Sequence, residues 1–410
     1  MKKVFCFSAC LLSLFCIAGC YKFSTKTITK PVVTMNLALR GGTYSNVVKK
    51  FIPEFERQNN IRCNILEFSE DDLHKKVAQN STKEIGDFDF CMADSSWVAE
   101  YLEKGVLADM KAYGYDLDDD IIPATKSVCY SGDGLYLAPF YGNVTVLLYN
   151  ELLVREAGYD PDDIQSIEDI LEICRFSKKR HNFGFMYRGD TENNIVVDFL
   201  PILRSCGGWV VDENNHPTVN TPEFKMAMEV YLELMDTGRA AKKDDVIAAI
   251  ANKSGTMCVG WPGWYTPTRN SSMGYIALSG KYGRGSEAYN SNIYGIWTIG
   301  VPANSANKEY GVKLVEFLMN PKNQQKSVSK GGVPCRYSSL RDDPEILKNY
   351  PEYKLVCKAL ESGVYRPTMV HWNDFYTILG RRMKMIFDGE RTIEAGLKDA
   401  QTELERRLGK

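Results

Sequence analysis

Histidine is scarce in this chain, with four residues among 410. They lie far apart, and no HExxH or H-x-H pairing brings two imidazoles together, so neither a zinc hydrolase nor a metal-capturing site is predicted. The chain also lacks a P-loop, a G-x-G-x-x-G turn after a strand and a G-x-S-x-G elbow. We therefore expect no metal, no cofactor and no catalytic residue, and we predict that the protein is not an enzyme.

A dominant charge of either sign is also missing, since 50 Lys and Arg residues face 52 Asp and Glu residues. A nearly neutral chain lacks the long-range field on which non-specific nucleic-acid binding depends, so no nucleic-acid partner is expected. With 44% hydrophobic and 25% charged residues, the composition is that of a globular protein, and the length predicts two or three lobes.

Closely spaced cysteine pairs are missing from the body of the chain. Four of the twelve cysteines lie in the first twenty residues, and the other eight are scattered without a C-x-x-C pair. This spacing excludes zinc ribbons and thioredoxin-type redox motifs. Most of the eight have apolar neighbours, which predicts buried free thiols, with one or two disulfides as the alternative.

The first twenty residues have the layout of an export signal. Two lysines at positions 2 and 3 precede an apolar run over residues 4–17, which is too short to span a bilayer comfortably. The run ends in the letters IAGC, which resemble the bacterial lipobox. We predict a lipoprotein signal peptide at residues 1–19, lipidation of Cys20, and a polar tether over residues 20–31 that holds the body outside the membrane.

Short apolar runs alternate with helical patterns along the rest of the chain. Residues 32–39 (VVTMNLAL) predict a buried strand, which a pair of glycines ends before a helical pattern begins. Further strands are predicted at residues 63–68, 88–93, 135–139, 256–260, 275–278 and 296–301. Capping signals predict helices after Asn150, Ser166 and Thr221. The alternation predicts an α/β fold with parallel strands.

Aromatic and amide residues cluster at the ends of these predicted strands. The clusters are DSSW at 94–97, FYGN at 140–143, WPGWY at 261–265 and YGIW at 294–297. In open α/β sheets, ligands bind beyond the carboxyl ends of the strands, so these residues are predicted to line a cleft. A sugar fits such a lining, because its apolar faces stack on aromatic rings and its hydroxyls need fixed donors and acceptors.

Several segments, taken in order, resemble the family 1 extracellular solute-binding proteins, the sugar-capturing lipoproteins of bacterial ABC importers. The segments are FDFCMADSSWVAEYLEKGVLADM, GLYLAPFYGNVTVLLYNELLVREAG, GGWVVDENNHPTVNTPEFKMAMEVYLELMDTG, SGTMCVGWPGW, YGIWTIGVPANSANKEYGVKLVEFLMNP, GGVPCR and RPTMVHWNDFYTIL. The resemblance implies an α/β fold of two lobes, the type II periplasmic-binding-protein clamshell with three crossovers and the ligand between the lobes.

The resemblance also implies where the lobes divide. It places the crossovers near residues 140–146, 296–301 and 328–333. The N-terminal lobe would comprise residues 32–142 and 299–330, and the C-terminal lobe would comprise residues 143–298 and 331–410.

Roles in ligand binding follow from the same resemblance. Asp94 would accept hydrogen bonds from sugar hydroxyls, and Arg366 would donate to hydroxyls or a ring oxygen. Trp264 and Trp297 would stack on sugar faces. These four residues are the principal candidates for the site.

Five further residues are expected near the ligand. Tyr141 and Asn143 lie at the first crossover, where they would contact either the ligand or the hinge. Trp97 and Trp261 rank below the other tryptophans, because each could pack beneath the site. Arg40 departs from the family pattern and would favour an anionic group such as a uronate or a sugar phosphate, which leaves both a neutral and an acidic ligand open.

The resemblance implies a function without covalent chemistry. The open protein would bind a sugar or oligosaccharide through one lobe, and closure of the second lobe would create the form that the ABC permease recognises. We expect a monomer, located outside the cytoplasm and attached to the membrane by its lipid. The alternatives are the same fold binding a polyamine, iron or another non-sugar solute, and a secreted glycan-active enzyme, whose carboxylate pair would be defined only in space.

Overall fold

The computed structural model describes residues 33–265 and 272–410. The predicted signal peptide, Cys20 and the tether lie outside these residues. None of the helices in the described ranges is long and apolar enough to cross a membrane.

The strands of the described chain are short and almost all apolar on their buried faces. In chain order they are Thr34–Arg40 (β1), Arg62–Phe68 (β2), Phe90–Asp94 (β3), Tyr130–Ser131 (β4), Gly134–Leu135 (β5), Leu137–Tyr141 (β6), Val146–Asn150 (β7), Phe183–Tyr187 (β8), Arg239–Ala240 (β9), Gly255–Gly260 (β10), Met273–Ile276 (β11) and Trp297–Gly300 (β12).

The helices cover the sheets, and several begin at a side chain that accepts a backbone hydrogen bond. In chain order they are Thr43–Lys49 (α1), Ile52–Asn59 (α2), Glu70–Asn80 (α3), Val98–Glu103 (α4), Pro123–Lys126 (α5), Glu151–Glu156 (α6), Ile167–Lys179 (α7), Glu192–Ser205 (α8), Pro222–Thr237 (α9), Lys243–Ala251 (α10), Pro262–Tyr265 (α11), Lys308–Met319 (α12), Pro321–Val328 (α13), Tyr337–Leu340 (α14), Pro344–Asn349 (α15), Tyr353–Glu361 (α16), Trp372–Phe387 (α17) and Ile393–Leu408 (α18). The predicted caps Asn150, Ser166 and Thr221 each accept the backbone N–H three residues on.

Two five-stranded sheets organise the chain. The first has the order β2-β1-β3-β12-β6 and the second the order β11-β7-β10-β8-β9. The α/β class is confirmed, but an all-parallel arrangement is wrong. β12 runs antiparallel to both β3 and β6, and β7 runs antiparallel to β10 and β11. Both antiparallel strands directly follow a crossover. A strand that enters its sheet from the other lobe begins at the edge where the parallel strands end, so it runs in the opposite direction.

Three chain segments cross between the two lobes side by side. The backbone N–H of Thr145 donates to the carbonyl of Ile293 at 2.9 Å, and that of Gly295 donates to Asn143 at 3.0 Å. Tyr294 donates to the carbonyl of Val364 at 2.9 Å. Backbone hydrogen bonds therefore tie the three crossovers into one hinge.

The structure differs from the predicted lobe boundaries after residue 296. β12 pairs throughout with strands of the first lobe, and the chain after residue 331 also packs there. Arg336, which is buried, forms ion pairs with Asp118 at 2.6 Å and Asp120 at 3.0 Å. A buried guanidinium needs such carboxylates, so this segment stays on the first lobe and the third crossover lies near Val364 instead of residues 328–333.

The eight scattered cysteines are free thiols, as predicted, and seven of them are buried. Burial raises the pKa of Cys91 and Cys174 to about 12. Such thiols remain protonated near neutral pH and act as small apolar core groups.

Candidate ligand-binding cleft

A cavity of about 840 Å³ lies between the two lobes. Its walls come from the ends of strands and the first turns of helices in both lobes, which is where an open α/β sheet places ligands. All nine predicted ligand-binding residues line it: Arg40, Asp94, Trp97, Tyr141, Asn143, Trp261, Trp264, Trp297 and Arg366.

The strand register of the first sheet brings the first-lobe residues together. Trp297 begins β12 and pairs with Asp94 at the end of β3 and with Tyr141 at the end of β6. Arg40 ends β1, which runs parallel to β3. One edge of the sheet therefore presents a carboxylate, a guanidinium and two aromatic rings toward the cavity.

A buried ion pair closes the floor of the cavity. Arg366 donates to Asp94 from 272 residues away in the chain, and both side chains are about 95% buried. Asp94 also accepts from the backbone N–H of Ser96 at 2.9 Å and from its hydroxyl at 2.7 Å. Burial alone would lower the pKa of Arg366, but the charge of Asp94 raises it above the ordinary value. The Nε of Arg366 has no partner among the described residues, which leaves a donor for a ligand.

Four tryptophans contribute to the walls. Trp97, Trp264 and Trp297 retain only 4%, 7% and 3% exposure, and Trp97 packs edge-to-face on Trp297 with ring centroids 5.4 Å apart. Trp261, ranked lower from the sequence, is the most exposed of the four. Its ring covers Gly295, where a Cβ would lie 2.6 Å from the indole.

Tyr141 and Asn143 belong to the hinge side of the cavity. The hydroxyl of Tyr141 donates to the carbonyl of Gly331 at 2.8 Å, and the amide of Asn143 donates to the Tyr44 hydroxyl at 2.8 Å. Burial raises the pKa of Tyr44 to about 12. The Oδ1 atom of Asn143 is buried without a partner in the described chain, so the side chain can still accept a hydrogen bond.

Sequence reasoning missed a second buried ion pair at the cavity. Arg188 follows β8 and forms hydrogen bonds with Asp198 on α8, two of them at 3.1 and 3.2 Å. Its guanidinium lies 5.0 Å from the ring centroid of Trp264. The rule that singled out Asp94, a polar residue directly after a buried strand, would also have found Arg188 after the run FGFMY. Asp198 lies within a helix and gave no such signal.

Polar contacts also join the two lobes across the cavity. His74 on α3 contacts the amide nitrogen of Asn373 on α17 at 2.9 Å, and Asn193 on α8 donates to Glu70 at 3.3 Å. His74 also bonds Glu100 at 2.7 Å. The His74–Asn373 and Asn193–Glu70 contacts link helices of the first lobe with helices of the second.

We expect Glu100→Gln to destabilise the protein by about 1–3 kcal/mol at pH 7. Burial would raise the pKa of Glu100, but hydrogen bonds from His74 and Lys104 lower it to about 2. The stabilisation is therefore complete above the ordinary glutamate pKa of about 4.3 and is lost as the pH falls toward 2. Urea unfolding between pH 7 and pH 3 should show the difference from the unmodified protein shrinking. Glu229→Gln, on an exposed face, is the control, and equal pH profiles for both variants would contradict the assignment.

The family model of bacterial extracellular solute-binding proteins matches residues 50–354 of this chain. A probable amino-acid ABC transporter periplasmic-binding protein of Sinorhizobium fredii is 23% identical over 232 residues, which are 55% of this chain and 53% of that protein. A probable ABC transporter-binding protein of Deinococcus radiodurans is 21% identical over 255 residues, 58% of this chain and 60% of that protein. The chain thus spans about half the length of the curated relatives it matches.

Solved structures show the same fold. The maltose-bound MalE3 of T. maritima superimposes with a TM-score of 0.81 and 21% identity, covering 91% of this chain and 99% of that one. A solute-binding protein of Agrobacterium radiobacter K84 in complex with ribitol superimposes with a TM-score of 0.80 and 21% identity, covering 91% of this chain and 98% of that one. Together with a family model that matches most of the chain, these likenesses support one conclusion. This chain belongs to the bacterial extracellular solute-binding proteins.

Proposed function

We propose that this protein captures a carbohydrate in the interlobe cavity and delivers it to the permease of an ABC importer. The observation that carries the proposal is the cavity lining, to which four tryptophans and the buried Asp94–Arg366 pair all contribute. Aromatic rings supply apolar faces for a sugar, and the fixed carboxylate and guanidinium supply the acceptor and donor that its hydroxyls need.

The size of the cavity agrees with a small carbohydrate. Ligand pockets commonly measure about 300–1,000 Å³, and this cavity measures about 840 Å³. The solved structures with the same fold include proteins bound to maltose, ribitol, tagatose and D-mannitol. All four ligands are polyhydroxylated, which supports a ligand of that class here.

Of the alternative ligands, iron fits the lining less well. Among the described residues there is no group of three or more His, Cys, Asp and Glu side chains that could hold a metal ion, which disfavours iron. Asp94 is paired with Arg366, whereas Glu70, Asp71 and Glu192 also line the cavity, so the ligand panel below includes polyamines. The remaining alternative is an enzyme that cleaves a glycan. We propose instead that the lobes close on the ligand and capture it without a covalent step.

The proposal extends to location and partners. Cys20 would carry the lipid that holds the protein at the outer surface of the cytoplasmic membrane. The cleft is complete within one chain, because both lobes supply its walls, so the protein would act as a monomer. Its closed form would then be the form presented to the transmembrane permease subunits.

Thermal unfolding with a ligand panel tests this function. The panel should hold neutral sugars, polyols, sugar acids, amino acids, polyamines and iron salts. A cognate sugar at 100 times its Kd is expected to stabilise the folded protein by about 2.7 kcal/mol and so to raise its Tm. A rise in Tm with an amino acid, polyamine or metal but with no carbohydrate would overturn the proposal.

A further inference from the structure

The arginines inside the cavity differ in how their charges are matched. Arg366 is paired with Asp94 and Arg188 with Asp198, and all four side chains are buried. Each of these pairs balances its own charge. The third interior arginine, Arg40, forms no ion pair with any described residue.

Most N–H donors of the Arg40 guanidinium form no hydrogen bond with the described residues. Its only hydrogen bond within the described chain runs from Nη1 to the carbonyl of Gly41 at 3.4 Å, and its Nε is buried without a partner. The guanidinium lies 5.9 Å from the ring centroid of Trp297. A planar fork of unused donors beside an aromatic wall matches a carboxylate or phosphate group.

Glu70 forms no ion pair with Arg40 and accepts a hydrogen bond from Asn193 of the second lobe instead. It lines the same cavity at the start of α3, where burial and the charge of Asp94 raise its pKa, against the opposing effect of Arg366 and Arg40. Asp71, Glu192 and Lys75 lie at the exposed mouth of the cavity, where water screens their charges. Among the described residues that line the cavity, Arg40 is therefore an arginine that no carboxylate pairs.

The second lobe supplies another cation. Lys243 begins α10 and lines the cavity. Burial lowers its pKa, and the charges of Arg40 and Arg188 lower it further, against the effect of Asp244. Like charges that approach from two lobes oppose closure, and an anion between them removes that opposition.

We propose that the captured carbohydrate carries an anionic group, a carboxylate or a phosphate, bound between Arg40 of the first lobe and Lys243 of the second. This inference rests on the carbohydrate function proposed above. The anion would contact both lobes at once, so it would favour the closed form over the open form and couple ligand charge to closure.

Titration calorimetry of the protein with matched ligands tests this inference. Galactose is compared with galacturonate, and glucose is compared with glucuronate and with glucose 6-phosphate. The uronates test binding of a carboxylate, and the phosphate ester tests binding of a phosphate. The anionic member of a pair is expected to bind at least about tenfold more tightly than its neutral parent. Arg40→Gln should remove that preference, so that the acid and its neutral parent bind to the variant with equal affinity.

Two further variants keep the result interpretable. Lys243→Gln, on the other lobe, should reduce the preference for the anion severalfold even if Arg40→Gln folds poorly. Lys322→Gln removes the same charge outside the cavity lining and should leave the preference unchanged. Equal affinity for acid and parent, or a preference that survives both cleft variants, would overturn the anionic site. If no carbohydrate of either charge binds, the proposed function itself fails.

Discussion

Arg366→Met is expected to lower the free energy of unfolding by about 3–5 kcal/mol and to abolish carbohydrate binding. The substitution leaves the carboxylate of Asp94 buried without its cation, and an unmatched buried charge is one of the costliest defects in a folded protein. Ser96 would still donate to Asp94, but neutral donors do not balance the charge. Urea unfolding measures the loss of stability, and titration calorimetry measures the loss of binding.

Matched variants separate the buried pair from a general effect of losing an arginine. Arg175→Met breaks an exposed ion pair with Glu233 and should cost no more than about 1 kcal/mol. The double variant Asp94→Leu with Arg366→Met should recover much of the stability, because apolar groups replace both charges, without recovering ligand binding. Equal losses of unfolding free energy in Arg366→Met and Arg175→Met would show that breaking the buried pair costs no more than breaking an exposed one.

Trp297→Ala is expected to cost about 3–5 kcal/mol of stability and to weaken carbohydrate binding roughly 30-fold. The indole is 3% exposed and packs against Tyr44 and Trp97 with ring centroids 5.2 and 5.4 Å away. Its removal leaves a cavity in the wall of the cleft and takes away the aromatic ring beside Arg40. The affinity should be measured at a temperature where the variant is fully folded.

Trp297→Phe and Trp209→Ala are the comparisons for this variant. Phenylalanine keeps an aromatic face, so it should retain more affinity than alanine. Trp209 is half-buried in the second lobe and does not line the cavity, so its removal should lower stability and leave affinity unchanged. An unaltered affinity in Trp297→Ala would remove this tryptophan from the binding site.

Local patterns in the sequence were sufficient to predict several strands and helix starts. Apolar runs predicted the central strands, and Asn150, Ser166 and Thr221 predicted the helix starts, because capping depends on side chains within three residues of the backbone they bond. The same local rule, polar and aromatic residues directly after a strand, predicted that Asp94 and Trp264 line the cleft.

Contacts between segments far apart in the chain could not be predicted from such local patterns. Asp118 and Asp120 both pair with the buried Arg336, which lies more than 200 residues away in the sequence. That pairing keeps the chain after residue 331 on the first lobe and moves the third crossover to the vicinity of Val364. No spacing or periodicity marks which carboxylates will meet a particular arginine.

The sequence by itself determined the α/β class, the helix caps and the part of the cleft lining that directly follows the predicted strands, since each depends on neighbours along the chain or on a strand's end. Only the tertiary structure decided the strand directions, the lobe boundaries and the pairing of charges. It matched Arg188 with Asp198 and Arg366 with Asp94 and left Arg40 without an ion pair among the described residues. Losing one partner of such a buried pair costs several kcal/mol, but a charge finds its partner only through the fold.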